Sequence, residues 1–233
     1  MGQTSFVTKL LATMALVLGA CASTPSLPAD SRAATLSVQG LVCSDCGKDL
    51  EERARKVAGV RSAAFDAKLV ELHLELAPGS DAQAVIQAVI SEPVDGKAIT
   101  ASLGAGKGAY APFATPDPSW DVKQLSSKGE DVPDLGASLA QGKVTLVDFS
   151  ADWCGPCHAL DEHINTLLAN NQKLAYRRID IVDWDSQVAQ HYLRTAKELP
   201  YVIVFDAKGA EVARLAGGNP DELDAAIQKA AHP

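Results

Sequence analysis

The sequence predicts two small domains that mix helix and strand, an α+β unit followed by an α/β unit. Three features of the chain lead there. A Gly- and Pro-rich stretch with no apolar period, residues 104–118, divides the chain. Upstream, short alternating runs and two amphipathic stretches follow one another in the order βαββαβ. Downstream, Val144-Thr145-Leu146-Val147-Asp148-Phe149-Ser150 is a continuous β-branched and apolar run, the pattern of a strand buried on both faces of a parallel sheet.

The chain opens with a leader. Lys9 precedes an apolar run from Leu10 to Ala20, too short for a bilayer-spanning helix, which takes about 20 residues. It matches the apolar core of a secretory signal peptide. Leu18-Gly19-Ala20-Cys21 resembles a bacterial lipobox, in which the cysteine is lipidated and becomes the first residue after cleavage. A myristoylation signal at Gly2 fails because Phe6 stands where Ser or Thr is needed. The segment from Ala22 to Ala33, with Pro25 and Pro28, reads as a tether. The expected divisions are residues 1–20 signal peptide, 21–33 tether, 34–103 first domain, 104–118 linker and 119–233 second domain.

In the first domain, Thr35 to Gln39 alternates as a half-buried strand. Asp45 to Val57 places Leu50, Ala54 and Val57 on one helical stripe. Val60–Phe65 and Leu69–Leu76 are two strands around an Asp66-Ala67-Lys68 turn, with Val70, Leu72, Leu74 and Leu76 on one face. Asp81 caps a helix reaching Ile90, and Lys97 to Leu103 closes as a strand. This order is the ferredoxin-like split unit. In the second domain, the strand Val144–Ser150 runs into Ala151-Asp152-Trp153-Cys154-Gly155-Pro156-Cys157, with a helix on to about Asn170. Tyr176–Ile181 is a strand and Gln187–Leu193 a short helix. Val202–Phe205 and Glu211–Ala216 form a hairpin around Ala207-Lys208-Gly209, and Asn219-Pro220 starts a last helix with Leu223 and Ile227 inward.

The five cysteines fall as one plus two plus two: Cys21, Cys43 with Cys46, and Cys154 with Cys157. Each pair has the spacing of a shared metal ion or a small disulfide ring. No thiol remains for a long structural staple. A CxxC entering a helix N-terminus has its thiol pKa lowered by unpaired N–H groups and the dipole. At Cys43 and Cys46, two thiolates suit Cu(I), or Zn(II) with further ligands; the alternative is a metal-free disulfide formed outside the cytoplasm. His73 reads as a surface residue, and His163 and His191 lack ligand spacing. The net charge of −8 argues against a polyanion-binding surface, so no nucleic acid partner is expected. Gly106-Lys107 is not a phosphate loop, because Gly108 replaces the needed Ser or Thr.

Two families come into view on these residues. Gly40-Leu41-Val42-Cys43-Ser44-Asp45-Cys46, followed by Val57-Ala58-Gly59-Val60, resembles the heavy-metal-associated domain over Ala34 to Leu103, with Leu41 where that loop usually carries methionine. The strand, WCGPC, helix and Leu199-Pro200 leading into a further strand resemble thioredoxin over Ser119 to Ala231. Cys154 is the expected exposed nucleophile at the helix start, and Cys157, one turn inside, the resolving thiol. The thioredoxin resemblance implies that Asp148 is a buried carboxylate with a raised pKa, accepting the proton of Cys157. It further implies that Pro200 is cis, faces the cysteines and, after Leu199, holds substrate backbone. Trp153 shields the site, and Gly155-Pro156 between the cysteines resembles reducing members of the family. His158, where many thioredoxins have Lys, reads as a solvated helix residue.

The expected function is an extracytoplasmic, lipid-anchored thiol–disulfide oxidoreductase, acting as a reductase, with an appended soft-metal-binding domain. It needs no redox cofactor beyond Cys154–Cys157; Cu(I) or another soft ion is the ligand expected at Cys43 and Cys46. Its expected partners are protein thiol and disulfide clients, a membrane electron donor and metal-trafficking proteins. Ala22 and Ser23 after Cys21, by resemblance to Gram-negative lipoproteins, place it in the bacterial cell envelope at the outer membrane, facing the periplasm. Two alternatives stand beside it: a copper or heavy-metal handling protein whose second domain keeps metal-binding cysteines reduced, and a first domain that docks clients without binding metal.

Overall fold

The computed structural model describes residues 32–232. The leader, Cys21 and most of the tether lie outside the described residues.

The first unit runs β1 (Arg32–Leu41), α1 (Cys46–Arg55), β2 (Val60–Asp66), β3 (Glu71–Leu76), α2 (Ala82–Val89) and β4 (Thr100–Leu103). Its sheet has the order β2-β3-β1-β4, every neighbour antiparallel. Leu36 of β1 lies opposite Leu72 of β3, and Ala34 opposite Leu74, so the apolar face forms in register. Leu50 and Ala54 of α1 and Val85, Ile86 and Val89 of α2 pack on that face. Asp81 caps α2 as expected, accepting from the Gln83 N–H at 2.9 Å. β1 begins at Arg32, two residues inside the expected tether.

Residues 104–118, expected as a linker, strap along the first unit in their first half. Ala109–Tyr110 forms β5, which runs parallel to the end of β1. The Lys107 N–H donates to Ser37 Oγ at 3.2 Å, Ala111 N–H to the Leu41 carbonyl at 2.8 Å, and Tyr110 OH to the Ala67 carbonyl at 2.8 Å. Gly106 N–H donates to the buried Glu71 carboxylate. The glycines serve close approach: a Cβ on Gly108 would lie 2.2 Å from the Val70 carbonyl oxygen. Glycine in a sequence reads as a sign of freedom, whereas here it lets two backbones touch.

The strap continues onto the second unit. Phe113 stacks on His158 with ring centroids 4.4 Å apart, and the Arg178 guanidinium lies 4.9 Å from the Phe113 centroid. His158 is therefore a half-buried contact of the strap rather than a solvated helix residue.

The second unit comprises β6 (Val122–Ser126), β7 (Val144–Ser150), α3 (Gly155–Asn170), β8 (Leu174–Asp180), α4 (Gln187–Tyr192), β9 (Tyr201–Phe205), β10 (Glu211–Ala216) and α5 (Pro220–Ala231). The sheet order is β10-β9-β7-β8-β6, with β6, β8 and β7 parallel and β9 and β10 antiparallel. β7 is central and buried at every residue, as its apolar run predicts. Leu160 and Ile164 of α3 and Leu223 of α5 pack with Leu146 and Val204 on one side. Val188 and Ala189 of α4 pack with Val147, Phe149 and Ile203 on the other. The sheet thus lies between two helical layers. The sequence pattern does not predict β6. It is an edge strand with exposed Lys123 and Gln124, and carries no apolar alternation.

Candidate active site

β7 leads into a loop that ends at α3, whose first residues carry the second cysteine pair. Cys154 is the N-cap of α3, in extended backbone conformation, and its sulfur accepts from the Cys157 N–H at 3.2 Å. Pro156 fits the first turn because its missing N–H has no partner to lose there. Cys154 and Cys157 are joined as a disulfide; Cys154, expected to be exposed, is only 5 % exposed because the Cys43 loop and Trp153 line the same groove, and Cys157 is fully buried. A reduced Cys154 therefore has the setting of a stabilised thiolate, with a helix N-terminus and an N–H aimed at the sulfur.

The Leu199-Pro200 peptide bond is cis. A Cβ on Gly218 would lie 2.9 Å from Pro200 Cγ and 3.5 Å from the Pro156 carbonyl oxygen, so this glycine wedges between the cis-proline and the cysteine loop. Gly218, at φ +72°, is not among the residues singled out from the sequence, although Gly217-Gly218 after a strand is a visible turn signal. Trp153 is half-buried over the loop, its indole N–H donating to the Val182 carbonyl at 2.6 Å.

Asp148 sits on β7 at 1 % exposure. Burial raises its pKa to about 7, with the neighbouring Asp161 adding to the rise and the Tyr176 hydroxyl and Arg178 opposing it. Tyr176 OH donates to Asp148 Oδ2 at 2.7 Å and also lies 3.2 Å from Asp161 Oδ1. A hydroxyl has one proton, so both contacts are made well only when one carboxyl is protonated. Asp161, raised by its own burial, pairs with Arg178 at 3.1 Å without hydrogen-bond angles. The Asp161, Tyr176 and Arg178 cluster does not stand out in the sequence. Its one visible signal is Asp161 four residues after Cys157, on the same helix face.

The loop of the first cysteine pair lies against the WCGPC loop. Cys43 and Cys46 are also joined as a disulfide, and Cys43 Sγ accepts from the Cys46 N–H at 3.0 Å. Ser44 N–H donates to the Trp153 carbonyl at 2.8 Å. A Cβ on Gly155 would lie 3.0 Å from Cys43 Cβ and 3.9 Å from its sulfur. The groove is lined by Cys43, Asp45, Trp153, Cys154, Pro156 and Leu199, among others. The Cys43 and Cys46 sulfurs are bonded to each other here, and only the reduced pair would offer two thiolates to a soft ion. Among the described residues, no three His, Cys, Asp or Glu side chains gather as metal ligands. His73 is exposed and bonded to Thr35, while His163 and His191 pair with Asp224 and Asp131.

A CxxC disulfide at a helix start, following a strand that carries a buried carboxyl and close to a cis-proline, defines the class: a thiol–disulfide redox protein. Comparison with known proteins gives the family. The thioredoxin family model matches residues 134–229. The mitochondrial thioredoxin-2 of Schizosaccharomyces pombe is 34% identical over 100 residues, covering 43% of this chain and 72% of that protein. Thioredoxin H2 of Arabidopsis thaliana is 30% identical over 134 residues, covering 58% of this chain and 97% of that protein. Among solved structures, the thioredoxin of Trichomonas vaginalis aligns at 20% identity and a TM-score of 0.38, over 48% of this chain and 98% of that one. The chain belongs to the thioredoxin family and is a thiol–disulfide oxidoreductase.

Proposed function

We propose that the protein is a lipid-anchored reductase of protein disulfides in the bacterial cell envelope. The observation that carries the reductase direction is the WCGPC site, with Gly155-Pro156 between the cysteines. In this reading Cys154 attacks a client disulfide, Cys157 releases the client, and Asp148, with a pKa of about 7, accepts the Cys157 proton. Leu199 borders the groove where client backbone lies, and the cis-proline Pro200 follows it. A membrane electron donor must restore the dithiol, since the compartment itself is oxidising. The leader and Cys21 support the anchor, which sends the soluble body to the membrane surface.

The first unit is read as ferredoxin-like, supported by its element order and its β2-β3-β1-β4 sheet. It resembles heavy-metal-associated domains in its cysteine loop, and a redox role for Cys43 and Cys46 is supported by the contact of that loop with the WCGPC loop, where Ser44 N–H donates to the Trp153 carbonyl. Equilibration with thiol–disulfide buffers tests the direction. A reduction potential for Cys154–Cys157 near that of thioredoxin, about −270 mV, supports a reductase. A value near about −120 mV, that of a strong oxidant, overturns it. Incorporation of labelled fatty acid, lost in Cys21→Ser, tests the anchor.

A further inference from the structure

We propose that the Cys43–Cys46 disulfide is the internal substrate of Cys154–Cys157, so that the chain passes a disulfide between its own two domains. The two loops are docked in register. Ser44, the residue after Cys43, donates its N–H to the carbonyl of Trp153, the residue before Cys154, at 2.8 Å. Gly155, the residue after Cys154, lies so close to Cys43 that an alanine Cβ there would stand 3.0 Å from Cys43 Cβ. The absence of a side chain at position 155 lets the loops meet. The two units also meet at the Phe113–His158 stack and at an ion pair between Lys97 and Glu162 at 3.1 Å.

The paired sulfurs have matching roles. Cys43 and Cys154 are the outer sulfurs, each accepting from the N–H three residues on, at 3.0 and 3.2 Å. Cys46 and Cys157, at 4 % and 0 % exposure, do not line the groove that Cys43 and Cys154 share, although Cys154 itself is only 5 % exposed. Each outer sulfur is thus the stabilised thiolate of its pair, and the two line one groove. The inference rests on the thiol–disulfide activity of Cys154 and Cys157.

The exchange balances without a further co-reactant. An external dithiol first reduces Cys154–Cys157. The Cys154 thiolate then attacks Cys43 Sγ, the Cys43–Cys46 bond breaks, and Cys46 leaves as a thiolate. The Cys157 thiolate attacks Cys154 Sγ, the Cys43–Cys154 bond breaks, and Cys43 leaves. Two electrons pass from the second pair to the first, and the two thiol protons end on Cys43 and Cys46.

Two measurements on the full chain test this. In the first, Cys21→Ser, Cys46→Ser and Cys157→Ser together leave Cys43 and Cys154 as the two thiols, and oxidised glutathione is the oxidant. The expected product is a Cys43–Cys154 link within one chain, found by peptide mass mapping, with a yield unchanged over about hundredfold dilution. Glutathione adducts at both thiols, or dimers lost on dilution, overturn the internal exchange. In the second, which needs no triple variant to fold, dithiothreitol reduces the wild type and Cys154→Ser, and alkylation reads the Cys43–Cys46 state. Reduction of Cys43–Cys46 should slow at least about tenfold in Cys154→Ser, since the intramolecular route is lost. Equal rates overturn it. Insulin reduction by the wild type separates the two levels. If insulin is reduced while those rates are equal, the internal exchange is wrong and the oxidoreductase stands. If insulin is not reduced by the wild type, the underlying activity fails.

Discussion

Replacing Asp148 by Asn should stabilise the oxidised protein at alkaline pH and leave it nearly unchanged in acid. Asp148 has its pKa raised from the ordinary 3.8 to about 7, chiefly by burial. Its folded form therefore binds a proton more tightly than its unfolded form. Stability is fullest below pH 4, falls as pH rises, and has lost this contribution above pH 7. The gap between the two values corresponds to about 4 kcal/mol, a large share of the roughly 5–15 kcal/mol of a typical domain. The asparagine of the Asp148→Asn variant has no charge to bury and keeps an oxygen for Tyr176, so the variant escapes that loss. All three tryptophans, Trp120, Trp153 and Trp184, lie in the second unit. Urea unfolding followed by tryptophan fluorescence at pH 4, 6 and 8 therefore reports on this unit. Asp180, raised to about 6 by burial, also titrates in this window, but it is common to both proteins and cancels in the difference. A wild-type-minus-variant difference that stays flat from pH 4 to pH 8 would mean that Asp148 does not take up a proton on folding.

Three further outcomes are expected. Tyr176→Phe removes the 2.7 Å donor to Asp148 and should cost about 1–3 kcal/mol at pH 8. The loss shrinks at pH 5, where the carboxyl is protonated, and paired urea curves at the two pH values check it. Gly108→Ala forces a Cβ against the Val70 carbonyl at 2.2 Å. It should cost about 1–3 kcal/mol and speed amide exchange across residues 104–111, read by mass spectrometry. Cys157→Ala should accumulate mixed disulfides between Cys154 and client proteins, seen as reducible high-mass bands on non-reducing gels and absent in Cys154→Ala.

The elements that carry a strong period are legible in the sequence, and so is the second cysteine site. Val144–Ser150 is apolar throughout because β7 is covered on both faces, and the alternation from Val70 to Leu76 marks the one face of β3 that meets the helices. The WCGPC loop and Leu199-Pro200 are local signatures, readable without knowing what surrounds them. β6 is not legible because an edge strand with solvent on one side has no apolar pattern to show. The packing of residues 104–111 against the first unit is not legible because glycine marks both freedom and close approach, and only the partner backbone at Val70 distinguishes them. Asp161, Tyr176 and Arg178 come from α3 and β8 and form a cluster only when the sheet is assembled. The meeting of Cys43 with Gly155 depends on how two domains dock, which no periodicity within either domain encodes.

Cys154 and Cys157 form the redox centre of this chain, and everything proposed for its function depends on that. The decisive measurement is insulin disulfide reduction with dithiothreitol as electron donor, comparing the wild type with Cys154→Ser. The wild type should turn over, and the variant should lose at least about a hundredfold, because Ser has no comparable nucleophile at neutral pH. Equal rates for the two proteins would place the redox chemistry elsewhere.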